Sequence, residues 1–139
     1  MRPKHTILLL DADEERMGRL AYALEQRCEF KIYKFSAVFE VAAWLRDHRN
    51  ADIRTLVADA RTPQLLPEFL TTFQKLFTES KTLLIGYNSP KWMETTADAY
   101  LPNGCHSTAE IYERLHILCA RKRGPKTTGY LPQAERKTA

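Results

Sequence analysis

The sequence predicts an α/β fold in which five parallel strands form a sheet wrapped on both faces by helices. Three observations predict it. Two apolar runs end abruptly on carboxylates: Ile7 to Leu10 runs into Asp11 and Asp13, and Thr55 to Ala58 runs into Asp59. Strand-like and helix-like patterns alternate five times along the chain. Helix-start signals stand where that alternation needs them, at Ser36, at Ser89-Pro90 and at Ser107. Such alternation gives a parallel sheet with right-handed crossovers. In open sheets of this kind ligands bind at the carboxyl edge, where these acids gather.

Each element follows from its own pattern. Thr6 to Leu10 is continuously apolar, as a strand covered on both faces must be. Asp11 or Asp13 can cap a helix through about Arg27, with Met17, Leu20, Ala21, Leu24 and Cys28 on one stripe. Phe30 to Phe35 alternates and suits a strand nearer an edge. Ser36 is the expected N-cap of a second helix to about His48, with Val38, Val41, Ala42 and Leu45 inward and Trp44 partly exposed. Thr55 to Ala58 is the third strand. Pro63 and Pro67 break the chain before a helix to about Thr78, whose buried face is Phe69, Phe73, Leu76 and Phe77. Thr82 to Tyr87 is the fourth strand, and a short helix from Lys91 to about Thr96 follows. Ala99 to Leu101 is a brief fifth strand, turned by Pro102-Asn103-Gly104. Ser107-Thr108-Ala109-Glu110 is a capping box for a last helix to about Lys122, with Ile111, Leu115 and Leu118 inward.

Composition bounds the function. The 139 residues fit one domain, and 44% apolar with 27% charged residues suits a globular chain. No apolar run approaches the ~20 residues needed to span a bilayer, and Ile7 to Leu10 is too short for a signal-peptide core. A cytoplasmic protein with no membrane partner is expected. Cys28, Cys105 and Cys119 lack metal-ligand spacing and read as reduced thiols. His5, His48, His106 and His116 are scattered and pair with no ligand. The net charge of +4 is not uniform: residues 121–139 carry +5, which leaves −1 for the rest. Residues 1–122 are expected to form the domain and residues 123–139 a basic, disordered tail. That tail could hold nucleic acid weakly, but a solvated helix end is the favoured reading.

With these residues in place, the pattern resembles the receiver domain of two-component response regulators. The resemblance covers about residues 5 to 122. It rests on element order, on Ile7-Leu8-Leu9-Leu10-Asp11, on Asp59 with Pro63 four residues on, and on Ala97-Asp98-Ala99-Tyr100-Leu101 before the last helix. It implies a flavodoxin-like sheet of order 2-1-3-4-5 with five helices. It also implies that Asp59 is the phospho-acceptor of a histidine kinase or small phosphodonor. Acids after the first strand, Asp11 and Asp13 here, would join Asp59 in holding Mg²⁺.

Three of the five usual positions depart from that pattern. The second acid is Ala12, with Asp13 one residue on. The hydroxyl residue that ends the fourth strand is Asn88 in the best alignment, with Ser89 beside it, and a register starting at Gly86 is the alternative. The lysine that ends the fifth strand, three residues after the aromatic Tyr100, is Asn103, which carries no charge. The expectation is a degenerate receiver: no enzyme, but a single domain without an output domain that works by protein contact. The alternative is a working phospho-accepting receiver in a phosphorelay. Without the lysine, the crowded acids need either a divalent cation or a shared proton. The resemblance further implies a partner face on the fourth helix, fifth strand and fifth helix, where Trp92 and Tyr100 would meet a kinase, a regulator or a second copy.

Two rival readings are weaker. Asp11-Ala12-Asp13 also looks like the opening motif of haloacid-dehalogenase-type phosphatases, but Glu15 stands where that family has threonine. A nucleotide-binding loop is excluded because the five glycines form no glycine-rich run.

Overall fold

A computed structural model describes residues 4–86, 95–102 and 107–120. Five parallel strands form one sheet: β1 (His5–Leu10), β2 (Phe30–Phe35), β3 (Ile53–Asp59), β4 (Lys81–Ile85) and β5 (Ala99–Leu101). Their order is β2-β1-β3-β4-β5, as the resemblance implies. Four helices are described: α1 (Glu14–Glu25), α2 (Val38–Asp47), α3 (Pro67–Leu76) and α4 (Thr108–Cys119). The short helix expected from Lys91 lies, apart from Thr95 and Thr96, outside the described residues, as does the tail.

Alternation along the inner strands divides the core in two. Ile7, Leu9 and Val57 pack with Met17, Leu24, Ile111 and Leu115 under α1 and α4. Leu8, Leu10, Leu56 and Ala58 pack with Val41, Leu45, Leu70 and Phe73 under α2 and α3. Burial on both faces is why β1 and β3 read as unbroken apolar runs, while β2, at the sheet edge, alternates.

Helix ends follow side-chain chemistry. Asp13 caps α1 and accepts from the Arg16 N–H at 3.0 Å. Ser107 and Glu110 form the expected capping box of α4. The N-cap of α2 is Ala37, not Ser36. Ser36 instead donates its N–H and hydroxyl to Glu40 Oε1 at 2.8 and 3.2 Å, so a carboxylate from the first turn reaches back past the cap. Pro67 opens α3, where its missing N–H costs nothing.

Two buried-face assignments need correction. Leu76 is 67% exposed, and Leu70 is buried in its place beside Phe73. Apolar residues occupy more than one side of α3, so the stripe alone did not fix its rotation. Cys28 is also exposed: α1 stops at Glu25, and Cys28 sits in left-handed backbone at φ 64° beyond it.

The short strand β5 is held by side chains as well as by its ladder. Asp98 Oδ2 accepts the Thr82 N–H at 2.8 Å, and the Asp98 N–H donates to the Thr82 hydroxyl at 3.0 Å. Gln74 on α3 donates to Thr82 Oγ1 and to the Thr96 carbonyl at 3.1 and 2.9 Å. This network ties the entry to β5 against β4 and α3.

Candidate functional site

Register brings the two key acids together. Leu10 pairs with Ala58 across β1 and β3, so the next residues, Asp11 and Asp59, emerge side by side at the carboxyl edge. Both are buried, at 9% and 4% exposure. Two anions held there need compensating charge. The expected sources were a metal ion or a shared proton, since Asn103 replaces the lysine. Instead, two arginines supply it.

Arg16, in the first turn of α1, forks onto Asp11. Its Nε donates to Oδ2 at 2.8 Å and its Nη2 to Oδ1 at 2.7 Å. The same Nη2 lies 3.6 Å from Asp59 Oδ2, so one guanidinium bridges both strand ends. Arg61, two residues past Asp59, forks onto it in turn. Its Nε donates to Oδ1 and its Nη2 to Oδ2, each at 3.0 Å, and its backbone N–H donates to Oδ1 at 2.9 Å. Planar guanidinium matches carboxylate geometry in a way lysine does not. Asp11 Oδ1 also accepts the Asp13 N–H at 2.9 Å, which fixes the turn into α1.

The protonation preferences agree with this arrangement. The hydrogen bond to Asp11 raises the Arg16 pKa above its ordinary value, aided by Asp59 and opposed by burial. The hydrogen bond to Asp59 does the same for Arg61. The Asp13 carboxyl sits below its ordinary value, chiefly because the Arg16 N–H donates to it.

The residues as arranged do not fit a divalent cation. Asp13 is committed to the helix cap and to Arg16, whose Nη1 is 3.4 Å from its Oδ2. Every oxygen of Asp11 and Asp59 already accepts from a guanidinium or a backbone N–H. Among the described residues, no group of three His, Cys, Asp or Glu is placed to hold a metal ion. Asp11, Asp13 and Asp59 are thus neighbours in space, but arginine rather than an open coordination site lies between them.

The other candidate residues divide by position. Asn88, Trp92 and Asn103 lie outside the described residues, as do Cys105 and His106. Tyr100 pairs with Leu84 across β4 and β5 and packs, half-buried, against the apolar cluster under α2 and α3. His48 stacks on Trp44 at 3.9 Å between ring centroids, and His116 lies 3.2 Å from Glu29. Cys119 is buried, and burial pushes its thiol pKa up.

Arg16 and Arg61 are the site residues that sequence reasoning missed. The resemblance places the positive charge at the end of β5, where Asn103 stands. A local signal was nevertheless present: a basic residue three positions past the cap Asp13, and another two positions past Asp59.

No family profile and no curated protein sequence matches the chain. Solved structures match it in shape. A response regulator receiver domain protein from Clostridium thermocellum superposes with a TM-score of 0.70 at 14% identity, covering 83% of this chain and 94% of that one. A CheY-like response regulator receiver domain protein from Methanospirillum hungatei JF-1 gives a TM-score of 0.67 at 20% identity, covering 84% and 97%. A response regulator from Burkholderia pseudomallei, determined with a phosphorylated aspartic acid, a calcium ion and citrate, gives 0.66 at 17% identity, covering 81% and 66%. The chain has the fold of response-regulator receiver domains.

Proposed function

We propose that this receiver fold serves as a signalling module that works through protein contact, without an efficient phosphoryl switch at Asp59. One observation carries the reading: both oxygens of Asp59 accept from Arg61, while Arg16 holds Asp11 and reaches within 3.6 Å of Asp59. A carboxylate forked by one guanidinium and flanked by another is a poor nucleophile, because its lone pairs are engaged and its charge is offset. Attack on a phosphodonor would first have to break those bonds. The role is that of a binding partner rather than an enzyme.

The same arginines favour a second reading. Their side chains are 32% and 39% exposed, so both can swing outward. Guanidinium recognises phosphoryl oxygens well and could replace the missing lysine in a phospho-accepting domain. Incubation with acetyl phosphate and Mg²⁺, followed by intact mass, separates the two. Under the contact reading the mass does not change. A stoichiometric phosphoryl adduct that disappears in Asp59→Ala overturns it and establishes the second.

A further inference from the structure

Away from the acidic edge, α2 and α3 enclose a groove of about 360 Å³. Leu45, Phe73 and Phe77 form its floor, and Leu76 stands at its side. Arg46 and Arg49 supply its rim. The apolar lining continues past the groove along both helices. Phe39 lies three residues before the groove residue Ala42 on α2 and shares its face, while Leu66 is the extended N-cap residue at the start of α3. Phe39, Leu66 and Leu76 are 73%, 56% and 67% exposed. Large apolar side chains exposed on the two helices that flank an apolar groove mark an interaction surface.

Length and charge select the occupant. From Phe39 to the end of α2 at Asp47 the helical face runs roughly 12 Å, a little over two turns, and Arg49 follows just past it. A helix laid between two helices presents anchors at i, i+3 or i+4, and i+7 over that span. No carboxylate lines the groove, and among the described residues neither Arg46 nor Arg49 makes an ion pair. The groove lining itself therefore offers two cations and no anion beside an apolar floor, with Asp52 and Glu79 lying past Arg49 in the adjoining pocket. The chain's own residues 121–139 carry +5 and are repelled by that rim. A second copy would bring the same basic rim with it.

We propose that the α2–α3 groove docks an acidic amphipathic helix of a partner protein. This deepens the contact-based reading by naming a surface and a class of partner, and it does not depend on the state of Asp59.

The test uses the full chain and a fluorescein-labelled synthetic helix of about fifteen residues, with leucines at i, i+3 and i+7 and glutamates on the flanks. A matched peptide with lysines for glutamates is the control. Fluorescence anisotropy is expected to show saturable binding of the acidic peptide alone. Arg46→Glu with Arg49→Glu should weaken it by about tenfold and admit the lysine peptide. Thr72→Trp, at an exposed position lining the groove, should block the acidic peptide while leaving the circular dichroism spectrum unchanged. Equal binding of both peptides, binding of neither, or indifference to Thr72→Trp overturns the proposal. A dimer seen by sedimentation and lost in Thr72→Trp makes a second copy the occupant and overturns it too. An Asp59 adduct in the mass experiment refutes the contact reading and leaves the groove proposal standing, so the two fail separately.

Discussion

Removing Arg16 tests the charge balance of the pocket directly. Arg16→Met keeps an apolar stem over the strand ends and deletes only the guanidinium. Asp11 then loses two charge-assisted bonds, at 2.7 and 2.8 Å, and Asp59 loses a cation 3.6 Å away. Breaking a fully buried pair costs about 3–5 kcal/mol, and losing a hydrogen bond to a charged group about 1.5–3 kcal/mol. The Arg16 side chain is 32% exposed, so water takes up part of the loss. Arg61 also remains on Asp59. The lower end applies, about 2 kcal/mol, which for a domain of this size is a fall of roughly 8 °C in Tm. With Arg61→Met added, both guanidinia are gone and Asp11 and Asp59 become a carboxylate pair open to a divalent cation. Mg²⁺ at about a hundred times its dissociation constant would return roughly 2.7 kcal/mol, whereas the parent chain should not respond. Thermal unfolding followed by far-ultraviolet circular dichroism, with and without Mg²⁺ at matched ionic strength, measures both effects. A parent chain stabilised by Mg²⁺ as strongly as the double variant, or an Arg16→Met chain as stable as the parent, would refute the reasoning.

Two further outcomes follow from the remaining polar contacts. Ser107→Ala removes the side-chain half of the α4 capping box and should cost about 1 kcal/mol, read as a lower denaturant midpoint at unchanged slope. Stability should also depend on pH through Glu29 and Tyr112, whose hydroxyl donates to Glu29 Oε2 at 2.6 Å. Burial works to raise the Glu29 pKa, but the bonds from Tyr112 and His116 outweigh it and leave the carboxyl lowered. Its contribution is therefore complete above the ordinary carboxylate range, about 4.3, and is lost as pH falls through the lowered value. The same bond raises the Tyr112 pKa, so that contribution is complete below about 10 and is lost as pH rises through the raised value. Tyr112→Phe should flatten both limbs of the stability profile; limbs as steep as those of the parent would show that other groups produce them.

The sequence by itself determined the described strands and helices, their order along the chain and the identity of the acids. Hydrophobic period, proline position and caps are local, and the capping box at Ser107 or the unbroken apolar run of β1 needs only its own neighbours to be read. It also brought Asp11 and Asp59 to one edge, because each ends a strand of a parallel sheet. Only tertiary structure decided what neutralises them. Arg16 and Arg61 reach the acids through long flexible side chains whose direction no spacing rule fixes, and one guanidinium serves two strands 48 residues apart in the chain. The rotation of α3 was decided in the same way: with apolar residues on more than one side, packing chose Leu70 for the core and left Leu76 at the surface. Local patterns record what each segment can do. Which charge meets which, and which apolar face stays open, depends on segments that meet only after the sheet has formed.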